Sequence, residues 1–274
     1  MPRPHSRKAC RALPASTSAL KNSAHATANV SGRKRSPRRA EPRMWVRSSQ
    51  TRMTESTRPL PVLYSFRRCP YAMRARMALW IAGETVELRE VKLADKPPEL
   101  IAASPKATVP VLDFRDGSVI EESIAVMRWA LHRNDPEGWL EGDDTELIAE
   151  ADGTFKHHLD RYKYPNRYED EPDHGKVDHR AEGLAILARW DERIAAQGQL
   201  CAERRTLADI ALFPFIRQFA NHDRAWFDAQ DLPHLQPWLN GHLESELFAS
   251  IMPKFTPWKA GGETVLFGPE KTVA

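Results

Sequence analysis

Residues 61–83 read PVLYSFRRCPYAMRARMALWIAG, and the change of period inside them sets the fold class. Pro61 to Phe66 is a short apolar run closed by Pro on one side and Arg on the other, the pattern of a buried strand. Met73, Met77, Trp80 and Ile81 then recur at i, i+4, i+7 and i+8, one face of a helix that Gly83 ends. Pro70 suits the first turn of that helix, where a missing N–H costs nothing. Cys69 therefore stands at a strand-to-helix junction. A thiol there faces unpaired N–H groups and the positive end of the helix dipole, and Arg67, Arg68 and Arg74 add positive potential, so a reactive, nucleophilic thiolate is expected. An inert buried cysteine is the bland alternative. Ala72 occupies the place where a C-x-x-C motif would carry its second cysteine. Exchange at Cys69 therefore needs an external thiol.

Outward from this stretch, VELREV at 86–91 alternates as a half-buried strand and residues 97–103 form a short helix. Residues 109–114 and 118–121 read as a hairpin about Arg115-Asp116-Gly117, and Ser123 starts a helix through Leu131. The order is βαβαββα, one small mixed sheet with helices on it, over residues 60–133. DPEGWLEGDD at 135–144 is a polar linker. Beyond it, over 144–250, every periodic signal is helical: 145–162, 180–196, 207–220 and 235–248. Thr206-Leu207-Ala208-Asp209 reads as a capping box, a structural element with Asp in the usual Glu/Gln place. Pro214 should kink its helix.

The net charge of +3 conceals a division. Residues 1–53 hold thirteen Lys/Arg and one acid, for +12, and the remainder carries −9. The part able to fold is acidic, which argues against a nucleic-acid-binding enzyme body. The Arg/Ser/Ala/Pro-rich arm lacks periodicity and is expected to be disordered. It reads as an over-long translation start before Met53, a transit peptide, or a basic tail. No run of eighteen apolar residues occurs, so no membrane helix is expected. Three scattered cysteines point to a reducing, cytoplasmic setting. His157 and His158 are neighbours in a helix, about 100° apart, and His174 and His179 lie in an expected loop, so no metal site is expected.

Three further features suit a peptide with charged ends. A cis Val109-Pro110 bond would turn the Val109 N–H and C=O outward to pair with an extended peptide, a trans proline at a strand start being the commoner case. The first turn after Glu121-Glu122-Ser123 offers donors to a carboxylate and Glu122 can meet an ammonium, although simple capping by Ser123 fits equally. Lys96 and Lys92 can meet a second carboxylate or remain solvated.

Together, Arg68-Cys69-Pro70-Tyr71-Ala72, Thr108-Val109-Pro110-Val111-Leu112, Glu122-Ser123 and Thr206-Leu207-Ala208-Asp209 resemble the cytosolic glutathione transferase family over residues 60 to about 250, with a thioredoxin-like domain followed by an all-helical one. Cys69-Pro70-Tyr71-Ala72 is similar to its omega-like, glutaredoxin-like branch. The resemblance implies glutathione as co-substrate, with Cys69 against its sulfur. It further implies Val109 beside cis Pro110 on the cysteinyl backbone, Glu122 and Ser123 on the γ-glutamyl head, Lys96 on the glycyl carboxylate and Tyr71 flanking the peptide. Tyr162, Tyr164, Tyr168 and Trp226 are candidates for the walls of a second-substrate site, or ordinary packing. A small electrophile or disulfide is the implied partner, and a homodimer the implied assembly. Thiol transfer through Cys69 is the leading activity, because a cysteine forms a disulfide with the thiol that a conjugating enzyme leaves free. Conjugation to electrophiles and a non-catalytic interaction role are the alternatives.

Overall fold

The computed structural model describes residues 59–172 and 174–269. The basic arm expected over 1–53 lies outside the described residues. Strand β1 (Val62–Ser65) is buried at all four positions, which is why its sequence is a continuous apolar run rather than an alternating one. It pairs in parallel with β2 (Val86–Glu90) and antiparallel with β3 (Val111–Asp113), which pairs with β4 (Val119–Ile120). Helices α1 (Pro70–Ile81), α2 (Pro98–Ala103) and α3 (Ser123–Arg133) complete a thioredoxin-like first half. A helical second half follows.

The second half is more broken than its periodicity suggests. The stretch expected as one helix from Thr145 comprises α4 (Thr145–Glu150), a π-helical turn (Ala151–Phe155) and α5 (Lys156–Lys163). Helices α6 (His179–Gln197) and α7 (Leu207–Ala220) lie where the pattern puts them. The single helix expected over 235–248 is two, α9 (Leu235–Leu243) and α10 (Glu246–Ile251), because the Ser245 hydroxyl caps a new start by accepting from the Phe248 amide at 3.2 Å. Short helix α8 (Arg224–Asp228), capped by Asp223, carries too few residues to show a period. The capping box forms as expected, and the Asp209 carboxylate also accepts from the Leu200 amide at 2.9 Å and the Trp238 indole at 3.2 Å.

Helix α1 is buried on nearly all sides, from Ala72 through Leu79. Met73 and Met77 are on the expected stripe, yet Ala75, Ala78 and Leu79 are buried too. The sheet covers one side and the second half covers the other, so a single hydrophobic core runs from Leu63 and Met73 through Phe213, Phe215 and Phe219. A smaller cluster of Val62, Tyr64, Val91, Leu100 and Val111 fills the other face of the sheet.

After α10 the chain returns to the first half. Strand β5 (Leu266–Phe267) adds antiparallel to β2, giving the order β4-β3-β1-β2-β5. Trp258 donates its amide to the Glu90 carbonyl at 2.8 Å and lies 4.1 Å from the Arg89 guanidinium. The return covers an edge that would otherwise present unpaired backbone groups. Gly268 is required where it ends: a Cβ there would come within 2.7 Å of the Glu84 carbonyl oxygen.

Candidate functional site

The register brings the candidate residues to one end of the sheet. Tyr64 at the end of β1 faces Val111 at the start of β3, and Leu112 faces Ile120 at the end of β4. The loops after β1, before β3 and after β4 therefore share that end. They carry Cys69, Val109-Pro110 and Glu122-Ser123.

Cys69 is the residue before α1, in extended conformation, and its Sγ is 3.6 Å from the Val109 carbonyl oxygen, which accepts from the thiol. The Val109-Pro110 bond is cis. Burial pushes the Cys69 thiol above its ordinary value, more strongly than the Ala72 and Tyr71 amides and the charges of Arg76 and Lys156 pull it down. Cys69 is therefore a neutral thiol rather than the expected thiolate. The arginines explain the difference. Arg74 points away, into the junction of the two halves, and the leading charges on the sulfur are those of Arg76 and Lys156.

Arg74 is fully buried. Its Nε donates to the Ala211 carbonyl in α7 at 2.6 Å, and its two terminal nitrogens meet both Asp152 oxygens at 2.9 and 2.7 Å. A fourth bond, at 3.4 Å, reaches the Ser123 hydroxyl. The guanidinium also lies 4.5 Å from the Phe215 ring and 5.3 Å from the Tyr71 ring. Arg76, on the adjacent side of α1, donates to the Ser65 hydroxyl and to the Phe66 and Arg67 carbonyls. It thereby anchors the loop that presents Cys69. Both arginines have charge but no sequence feature that distinguishes an anchor from a solvated base.

Glu122, not Ser123, is the residue preceding α3, and Ser123 is its first helical position, 5% exposed. Glu122 is already paired with an ammonium: Lys106 Nζ is 2.9 Å from it and 3.7 Å from Glu121. Lys106 was not legible as a partner because sixteen residues separate the pair. Lys96 is exposed. Tyr71 packs edge-on against Phe215, ring centroids 4.9 Å apart, so it faces the second half, and burial pushes its hydroxyl up to about 12.

The aromatic candidates are placed elsewhere. Tyr162 packs with Phe219, His222 and Trp226, while Tyr164 lies under Lys163 and Arg167, and Arg180 covers Trp226 at 4.5 Å. Tyr162 and Tyr168 line a cleft of about 410 Å³ between residues 161 and 180. The groove that includes Arg68 and Pro70, on either side of Cys69, is smaller, about 210 Å³, and none of these aromatic residues lines it. Its other walls are Lys163, Pro214, Arg217, Gln218, Asn221 and His222. Arg217 Nε and Gln218 Oε1 are buried there without a hydrogen-bond partner.

The histidines also depart from expectation. Neighbouring helical positions do diverge, but His179 at the start of α6 stands across from both His157 and His158. Ring nitrogens of all three lie within 4.8 Å of one another. Only a tertiary contact could bring the third ring to the pair.

Two family descriptions match the chain: glutathione S-transferase N-terminal domain at residues 68–133 and glutathione S-transferase C-terminal domain at residues 145–241. A maleylacetoacetate isomerase from Rhizobium meliloti is 28% identical over 169 residues, covering 56% of this chain and 78% of the relative. Glutathione S-transferase omega-1 from Rattus norvegicus is 35% identical over 94 residues, covering 34% of this chain and 39% of the relative. Among solved structures, a Pseudomonas fluorescens glutathione transferase family member with two glutathione molecules bound superposes with a TM-score of 0.59 at 19% identity, over 70% of this chain and 92% of that one. A glutathione S-transferase-I bound with lactoylglutathione gives 0.57 at 21% identity, over 71% and 99%. At those identities the superpositions show a common fold.

Proposed function

The chain belongs to the glutathione S-transferase family, and from that premise we propose that it binds glutathione across the end of the sheet and acts on the tripeptide sulfur through Cys69. One observation carries the proposal: the Cys69 sulfur lies against the backbone of a cis Val109-Pro110 unit, 3.6 Å from the carbonyl. An extended peptide paired with that backbone brings its own sulfur to Cys69. Among the described backbone bonds outside helices and strands, none uses the Val109 amide, which leaves it to a ligand.

In this reading the γ-glutamyl head lies at the start of α3, where the first-turn amides and Ser123 serve its carboxylate and Glu122 its ammonium. Glu122 then exchanges Lys106 for the ligand. Lys96 serves the glycyl carboxylate. Tyr71 holds the wall between the two halves through Phe215.

Thiol transfer is the first chemistry. The Cys69 thiolate attacks the glutathionyl sulfur of a mixed disulfide, the new S–S bond forms as the old one breaks, and the leaving thiolate takes a proton. A second glutathione thiolate attacks the enzyme's disulfide, restores Cys69 and leaves as glutathione disulfide. Deprotonation is the costly step here, because Cys69 rests as a neutral thiol. That observation favours a second reading, conjugation or isomerisation of an electrophile. There the Cys69 S–H donates to a glutathione thiolate as a hydroxyl would, and no disulfide forms. The proposal includes the omega-like branch, a homodimer and a reducing cytoplasmic setting.

The test is a pair of assays on wild type and Cys69→Ala: reduction of a small glutathione mixed disulfide, and conjugation of an aromatic electrophile. Thiol transfer predicts that reduction falls to background in the variant while glutathione binding survives. Reduction that persists removes it, and wild-type conjugation without reduction, falling in Cys69→Ala as the S–H donor is lost, selects the second reading. Absence of glutathione binding by wild type refutes both.

A further inference from the structure

Three imidazoles are gathered from two elements. His157 and His158 project from α5 and His179 is the first residue of α6. Their ring centroids are 5.1, 5.6 and 5.2 Å apart in pairs, and His158 Nδ1 lies 2.9 Å from His179 Nδ1. One of those two nitrogens must donate and the other accept. Among the described residues no carboxylate hydrogen-bonds to any of the three rings. The nearby charge of Arg161 is already matched, since Glu171 takes it with both oxygens at 2.7 and 2.5 Å. The cluster of three touching imidazoles, each able to become a cation, is held by that single hydrogen bond, which leaves His157 without a hydrogen-bonded ring partner in it.

We propose that His157, His158 and His179 bind one borderline divalent cation of the zinc type, fastening α5 to the start of α6. Imidazole nitrogen suits zinc, nickel, cobalt and copper rather than calcium or magnesium. Metal–nitrogen bonds of about 2.0–2.1 Å put tetrahedral ligand atoms about 3.4 Å apart. The His158–His179 pair need open by only about half an ångström and His157 close by at most about 1.4 Å, the scale of a ring rotation. His157 is exposed and can make that adjustment. Three protein ligands leave a coordination position for water.

The placement gives the ion a consequence. Residues 164–178 join α5 to α6 and include much of the lining of the 410 Å³ cleft, with His179 on its rim. An ion across the two helices would tie both ends of that segment. Its binding does not depend on the glutathione reading.

The experiment is Co²⁺ and Zn²⁺ titration of the full chain, freed of any affinity tag, in a background with Cys10, Cys69 and Cys201 replaced by Ser so that no thiolate competes. The expected result is one ion per chain by calorimetry and visible Co²⁺ ligand-field bands of a four- or five-coordinate nitrogen site. Excess Zn²⁺ should raise the unfolding temperature by several degrees, about 2–4 °C for each kcal/mol of linkage. His157→Ala, at an exposed position, should weaken binding at least about tenfold, and His158→Ala with His179→Ala should abolish the bands. Absence of ligand-field bands in the parent protein overturns the proposal. So does binding that survives unchanged in the single and double variants.

Discussion

Replacing Arg74 with Met tests how the two halves are held together. Methionine keeps the length and apolar stem that pack beneath Phe215 and Tyr71 but removes every polar contact of the guanidinium. Lost are both bonds to Asp152, the 2.6 Å bond to the Ala211 carbonyl and the 3.4 Å bond to Ser123. Removing one partner of a buried pair costs about 3–5 kcal/mol, because the other charge is left uncompensated. Asp152 retains 32% side-chain exposure, so water solvates it in part and the low end, about 3 kcal/mol, applies. At about 2–4 °C per kcal/mol for a chain of this size, the unfolding midpoint should fall by about 6–12 °C. Far-UV circular dichroism melts and urea titrations measure it. Asp152→Asn should cost less, since Arg74 keeps its carbonyl and hydroxyl partners. The double variant should resemble Arg74→Met alone, because the two substitutions remove one shared interaction. A midpoint for Arg74→Met within about 2 °C of wild type, or strictly additive single losses, would refute the assignment of Arg74 as the tie between α1, α7 and the π-helical turn.

Other outcomes follow from single residues. His242 is buried against Phe213 and Trp238 with its Nε2 unpartnered, and burial pushes its pKa down to about 3. The unfolded chain binds this proton from about pH 6.5 downward and the folded one does not. Stability is thus intact above about 6.5 and is lost as pH falls toward 3, by an amount on the order of 5 kcal/mol. His242→Phe should flatten that slope in acid urea titrations, and an unchanged slope would exclude His242 as its source. Alkylation of Cys69 by iodoacetamide should rise with pH to an inflection above the ordinary thiol value, since burial raises it; an inflection near neutrality would contradict the placement. Gly142→Ala should destabilise by about 1–3 kcal/mol, because its Cβ would lie within 2.6 Å of the Thr206 side chain that caps α7. Thermal melts that match wild type would show that the turn moves freely.

How much of this was readable in advance depends on the range of the interaction. The junction at Cys69, the capping box and the extents of α6 and α7 rest on contacts within a few residues, and local patterns report them directly. The arginines of α1 do not. Arg74 and Arg76 look like surface bases beside a reactive thiol, yet they are buried ties, one between the halves and one to the Cys69 loop. Their partners lie up to 175 residues away, at the Ile251 carbonyl that Arg76 reaches, and no period records that. Residues 252–269 look like tail and in the structure extend the sheet through β5, because strand addition depends on an open edge rather than on the strand's own composition. The chain's order of strands and helices by itself determined a small mixed sheet with helices on it followed by a helical half, and the resemblance carried by its motifs implied that the first half is thioredoxin-like. The tertiary structure alone decided that the Cys69 thiol is neutral, that Glu122 meets Lys106, and that three histidines converge, since burial and long-range charge act only once the chain has closed on itself.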